Sequence, residues 1–175
     1  HVPPRRSEAE ALRDAMLAIA GRLDPKLYGP SVLPHLSEFM QGRGRPANSG
    51  PLDGAGRRSV YLNVRRNFLT PLLLAFDYPT PFSTVGRRSR ANVPGQALVF
   101  WNNPLVRELA GQWARIHLAQ ETGSEERLAQ MYLEAFGRTP SQAEQSAALE
   151  YLNAAASETE EDAWTDLAHV LWNTK

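Results

Sequence analysis

The sequence predicts a mostly α-helical protein: an irregular helical bundle with a long Pro/Gly/Arg-rich central segment and at most one short strand or hairpin. Three observations carry this expectation. Stretches near both ends repeat apolar residues at helical spacing behind capping residues. The middle of the chain is rich in proline and glycine and has no period. Only one segment, "RRSVYLNVRR", alternates at all, and one weak strand does not make a sheet.

The elements follow in order. "SEAEALRDAMLAIAGRLDP" starts with Ser7 and Glu10 at capping-box spacing. Leu12, Ala15, Met16, Ile19 and Ala20 form its apolar face, and Gly21 is placed to stop it. "MQGRGRPANSGPLDGAGRR" then reads as a long flexible loop over 41–56. In the alternating segment that follows, Val60, Leu62 and Val64 would face one way and Tyr61, Asn63 and Arg65 the other. "TPLLLAFDYPTPF" is one or two helical turns cut off before Pro79. "PGQALVFWN" is a short helix opened by Pro94.

Asn103 caps the next helix, with Pro104 at its first position. Leu105, Leu109, Trp113 and Ile116 make its stripe, and it ends near Gly123. Three capped helices close the chain. One runs from Ser124 to a stop at Gly137. The second starts at Thr139, with Pro140 first and Gln142 as capping-box partner. The third starts at Thr159, with Trp164, Leu167, Ala168 and Leu171 facing inward.

A chain of 175 residues suits one domain, 1–175, and can bury roughly 70% of its unfolded surface. Hydrophobic content of 42% and charged content of 22% are those of a globular chain. No apolar run approaches a membrane span. With no cysteine, disulfides, thiolate metal sites, a cysteine nucleophile and covalent haem attachment are excluded from this sequence. His1 in place of an initiator Met reads as a cut boundary, so the expectation is an excised fragment of a larger protein.

Motifs of chemistry are sparse. His1, His35, His117 and His169 include no metal-ligand spacing, and no nucleophile elbow, phosphate loop or dinucleotide fingerprint occurs. Glu160, Glu161 and Asp162 lie in a helix first turn, where the dipole favours them. Asp77 is the lone acid between residues 54 and 90, expected to accept from an arginine or cap a turn.

Charge layout is more informative. Residues 41–90 hold nine arginines and no lysine against two acids, whereas 91–175 hold five cations against twelve acids. Arginine presents a planar fork that binds carboxylate or phosphate at two points and stacks on aromatics. Two accounts stay open: the basic middle docks on the acidic C-terminal helices, or it holds an external anion. Arg57, Arg58, Arg65, Arg66, Arg87, Arg88 and Arg90 are the candidate anion-binding residues, with Asp77, Gln96 and Asn102 as supporting polar groups. If the segment is extended, Arg57 and Arg65 share one face and Arg58 and Arg66 the other. Zero net charge argues against nucleic acid as a partner.

Several stretches together resemble a known family: "RRSVYLNVRRN", "LLLAFDYPTP", "RRSRANVPGQALVFWNNPLVRELA", "YLEAFGRTPSQAE" and "AWTDLAHVLWNTK". In this order they are similar to the C-terminal domain of unknown function 1553 of large planctomycete proteins, over about Arg6 to Asn173. The pattern falls on Arg57-Arg58, Tyr61, Arg65-Arg66, Phe76-Asp77, Pro79, Arg87-Arg88, Val93-Pro94, Gln96-Ala97-Leu98, Asn102, Gly137-Arg138, Pro140, Trp164, Asp166-Leu167 and Asn173. It departs at Ser89, where the family has Asn, and after Asn173, where Thr174-Lys175 replaces a Ser-x-Glu-Phe tail.

The resemblance carries no catalytic residue. It implies an exported parent, hence an extracytoplasmic location. It also implies companion domains on the same chain and a cytochrome c domain elsewhere, so no cofactor is expected in this fragment. The expected function is a non-catalytic accessory or scaffold domain with an arginine-lined contact for an acidic or sulfated carbohydrate. The alternative is part of a carbohydrate-active or redox enzyme whose catalytic centre lies mainly in companion domains.

Overall fold

The computed structural model describes residues 7–65, 67–82, 84–88, 93–155 and 159–174. Among them are seven α-helices and two 3₁₀ turns, with no strand, as expected for an irregular helical bundle. The chain forms two compact units, one of residues 1–18 and 22–105, the other of 19–21 and 106–175.

In the first unit, α1 spans Ala9–Ile19. Its first intrahelical bond runs from Leu12 N to the Glu8 carbonyl, so the helix starts two residues after Ser7. Glu10 does not close a capping box on Ser7, because both its carboxylate oxygens accept from Arg88. The buried face is Ala9, Arg13, Met16, Leu17 and Ala20, rotated from the expected one and carrying a charge. Gly21 ends the helix in the left-handed region, with φ 63°, and Arg22 N donates back to Leu17.

Between Arg22 and Thr70 the described residues form no α-helix or strand, only the two 3₁₀ turns, and are tied by two single-residue parallel bridges, Asp24 with Arg57 and Val32 with Leu62. The alternating segment does not extend. Ser59–Tyr61 coils into a 3₁₀ turn, leaving Val60 exposed and Leu62 half-buried. The face-sharing expected of Arg57 with Arg65 required an unbroken strand, and that turn removes it; the Arg58 pairing with Arg66 lies outside the described residues.

α2, Pro71–Ala75, opens on proline and buries Leu72 and Leu73. Asp77 ends it in the left-handed region at φ 59°, where Asp is one of the residues that tolerates that conformation. Tyr78 N then reaches the Leu73 carbonyl at 3.1 Å. α3, Pro94–Asn102, packs on α2 through a Phe76–Phe100 edge contact at 5.3 Å. Gln96, buried, donates to the Ala75 carbonyl at 2.8 Å and accepts from Val93 N.

α4, Pro104–Leu118, is capped by Asn103, whose side chain accepts from Leu105 N at 3.0 Å. It stops earlier than expected. Gln120 N turns to the His117 carbonyl, and Gly123 instead opens α5 by accepting Arg127 N. In the second unit α5 spans Ser124–Phe136, with Gly123 rather than Ser124 as its cap residue, and ends on left-handed Gly137. α6, Gln142–Ala154, starts two residues later than expected: Ser141 and Glu144 form the capping box, not Thr139 and Gln142. α7, Glu160–Asn173, is capped by Thr159 as expected. The core of this unit includes Trp113, Leu128, Met131, Trp164, Leu167 and Leu171.

Candidate functional site

Three of the candidate arginines, Arg57, Arg58 and Arg88, join two nodes, both in the first unit. The first is built around Arg13, a residue the motifs did not single out. It is only 3% exposed. Nη1 donates to the Arg57 carbonyl and to Ser59 Oγ, each at 3.0 Å, and Nη2 donates to the Asp53 carbonyl at 2.7 Å. Asp14 lies 3.3 Å away and accepts from the amide and hydroxyl of Ser59. Burial lowers the Arg13 pKa, while Asp14 and Asp53 oppose that shift. A guanidinium stays charged under such conditions.

The "DGAGRR" turn fits around this hub only as glycine. Gly54 and Gly56 have φ 61° and 68°. A Cβ on Gly54 would stand 2.6 Å from Arg13 Nη2, and one on Gly56 would stand 2.3 Å from the Arg22 carbonyl oxygen. Asp53 pairs with Arg22 and accepts from Ala55 N at 3.0 Å. Arg57, also buried, donates to the Tyr28 carbonyl at 2.7 Å and stacks 4.1 Å over the Tyr61 ring. Its Nη1 is 4.0 Å from Asp24. Arg58 is exposed, with Nε 3.8 Å from Asp14.

The second node is Arg88. It grips Glu10 with two hydrogen bonds, at 2.9 and 2.8 Å, reaches Glu8 at 3.2 Å, and lies 5.7 Å over the Tyr78 ring. Burial alone would raise the Glu10 pKa, but the Arg88 hydrogen bond and a backbone amide outweigh it, and the value falls below the usual carboxylate range. Bidentate arginine–carboxylate pairs have this effect because the charged acceptor is the better one.

The acids that meet Arg57, Arg58 and Arg88 thus lie in residues 8–24, not in the C-terminal helices. The acidic helices have their own cations: Arg107 meets Asp166, Arg115 meets Glu161, Arg127 meets Glu160 and Arg138 meets Glu144. Arg65 and Arg87 are exposed, with no ion pair among the described residues. Arg66 and Arg90 lie outside the described residues. Of the supporting groups, Gln96 links α3 to α2, Asn102 donates to the Leu98 carbonyl within α3, and Asp77 is the helix stop.

A third polar cluster escaped the sequence reading. Glu134 accepts from Trp113 Nε1 at 2.6 Å and meets His117 Nε2 at 3.0 Å, while Trp172 stacks on Trp113 at 5.2 Å. The i,i+4 spacing of Trp113 and His117 was its only sequence trace. Among the described residues no group of three or more metal-ligating side chains assembles. No described helix is long and apolar enough to cross a membrane.

Fold and site together define a helical domain in which arginines clamp irregular loops onto an N-terminal helix. The chain belongs to the PSD1 family, proteins of unknown function also designated DUF1553, whose family model matches residues 1–152. No curated protein and no solved structure matches the chain.

Proposed function

We propose that this is a non-catalytic accessory or scaffold domain of an exported multidomain protein, acting beside companion domains of the same parent chain. The observation that carries this reading is the internal use of the arginines. Arg13 and Arg57 are buried and Arg88 is clamped by two glutamates. Arg13 and Arg88 donate to the chain's own oxygens and Arg57 is buried, so these guanidiniums offer little to an external anion. Of the described candidate arginines, Arg65 and Arg87 are exposed without an ion pair and could meet an acidic or sulfated carbohydrate.

The two roles separate by mutation. Arg88→Ala should lower the melting temperature by several degrees, as about 1–2 kcal/mol lost from a half-buried bidentate pair does in a unit of this size. A double Arg65→Ala, Arg87→Ala variant should leave melting unchanged and weaken retention on sulfated or uronic glycans. Unchanged melting of Arg88→Ala together with lost glycan binding would sink the scaffold reading.

A further inference from the structure

The first unit contains a cavity of about 100 Å³, and its walls come from five separated segments around Arg13. Its floor is buried: Pro34, Leu72, Leu105, Gly54 and the Arg13 side chain. Its rim is half-exposed and polar, with His35, Ser37, Thr70 and Asn103 beside Met40 and Leu52. Four prolines, at 34, 51, 71 and 104, stand in the walls. Proline fixes φ and offers no N–H, so these walls are stiff and largely apolar. The Arg13 hydrogen bonds to residues 53, 57 and 59 hold the far side in place, so the space does not close by relaxation.

His35 sets the polar requirement of an occupant. Its Nδ1 faces the Gly50 carbonyl at 3.3 Å. A carbonyl only accepts, so Nδ1 carries the proton, and Nε2 of the neutral ring is left as an acceptor. The volume is of the same order as the roughly 150 Å³ apolar cavities that take up benzene. We infer that this cavity is a binding site for a phenol-sized aromatic ring carrying one hydroxyl, with the hydroxyl donating to His35 Nε2 and the ring on Leu72 and Leu105. The inference shares the Arg13 hub with the scaffold reading but needs no carbohydrate contact.

The test is ligand-observed NMR on the whole chain with phenol and toluene. Phenol should bind at about 1 mM or tighter, an ordinary strength for seven heavy atoms. Toluene should bind about tenfold more weakly, the expected loss of one hydrogen bond to the half-buried His35 ring. His35→Phe should abolish that preference, and Leu52→Trp, which fills the rim, should abolish binding of both. Should Leu52→Trp fail to fold, Met40→Phe serves the same purpose. No saturable binding of phenol at twenty times that concentration, or binding unchanged by both filling variants, overturns the site. N-acetyltyrosinamide tells the source of the ring: binding equal to phenol assigns it to a tyrosine side chain of a partner, and binding of phenol alone to a free small molecule.

Discussion

Arg13 shows why single residues are hard to read from sequence. One arginine among the helical residues of α1 looks like a solvated charge, since charged side chains are seldom buried without partners. Besides the adjacent Asp14, its partners are three oxygens from residues 53, 57 and 59, two of them backbone carbonyls that no side-chain motif announces. The Gly-Ala-Gly turn was the visible half of the arrangement, and only the folded geometry supplies the other. Arg13→Ala should cost about 3–5 kcal/mol in urea unfolding, because it leaves buried acceptors unsatisfied. Arg13→Lys should recover little, because one ammonium cannot span acceptors that a planar fork reaches from two nitrogens.

At the level of elements the sequence was more legible. The proline starts of α3 and α4, the Gly137 stop and the Thr159 cap follow from local chemistry that needs no tertiary context. The misplaced start of α6 has a tertiary-scale cause in miniature. Glu144 reaches back to Ser141 N at 2.7 Å, and Arg138 holds the same carboxylate at 2.8 and 2.7 Å. That second grip favours Ser141 over Thr139 as the cap. It also brings the Glu144 pKa down to about 2 from an ordinary 4.5, first through Arg138 and then through Ser141. The sign follows: a folded pKa below the unfolded one contributes stability that is complete above about pH 5 and is lost as pH falls toward 2. Carboxyl NMR should place Glu144 near that low value, and Arg138→Ala should return it most of the way to 4.5. A Glu144 titration unmoved by Arg138→Ala would contradict the arrangement.

For the whole molecule, the charge asymmetry seen along the sequence maps onto the two units. The first carries fourteen cations against seven acids, the second five against twelve. The asymmetry was legible, but its expected resolution was not. Each unit answers its clamped charges with opposite charges of its own, over distances in sequence that composition does not encode. Tryptophans report on the units separately. Trp101, in α3, is 51% exposed, whereas Trp113 and Trp164 are buried and Trp172 half-buried. Acrylamide should therefore quench one readily accessible component of the native fluorescence, and Trp101→Phe should remove it while leaving the blue-shifted remainder. Loss of the protected component instead would show that the second unit's core is wrongly described.

The Arg88 clamp has a consequence for biosynthesis. It joins residues 78 and 80 positions apart, whereas the Arg138–Glu144 pair spans six. A chain leaving the ribosome N-terminus first exposes Glu8 and Glu10 long before their partner is made. Through that interval Glu8, just before α1, and Glu10, within it, wait for Arg88, and Arg13 waits for residues 53–59. α1 is thus made well before the residue that locks it, and nascent-chain force or crosslinking measurements should see it dock only after residue 88 has cleared the exit tunnel.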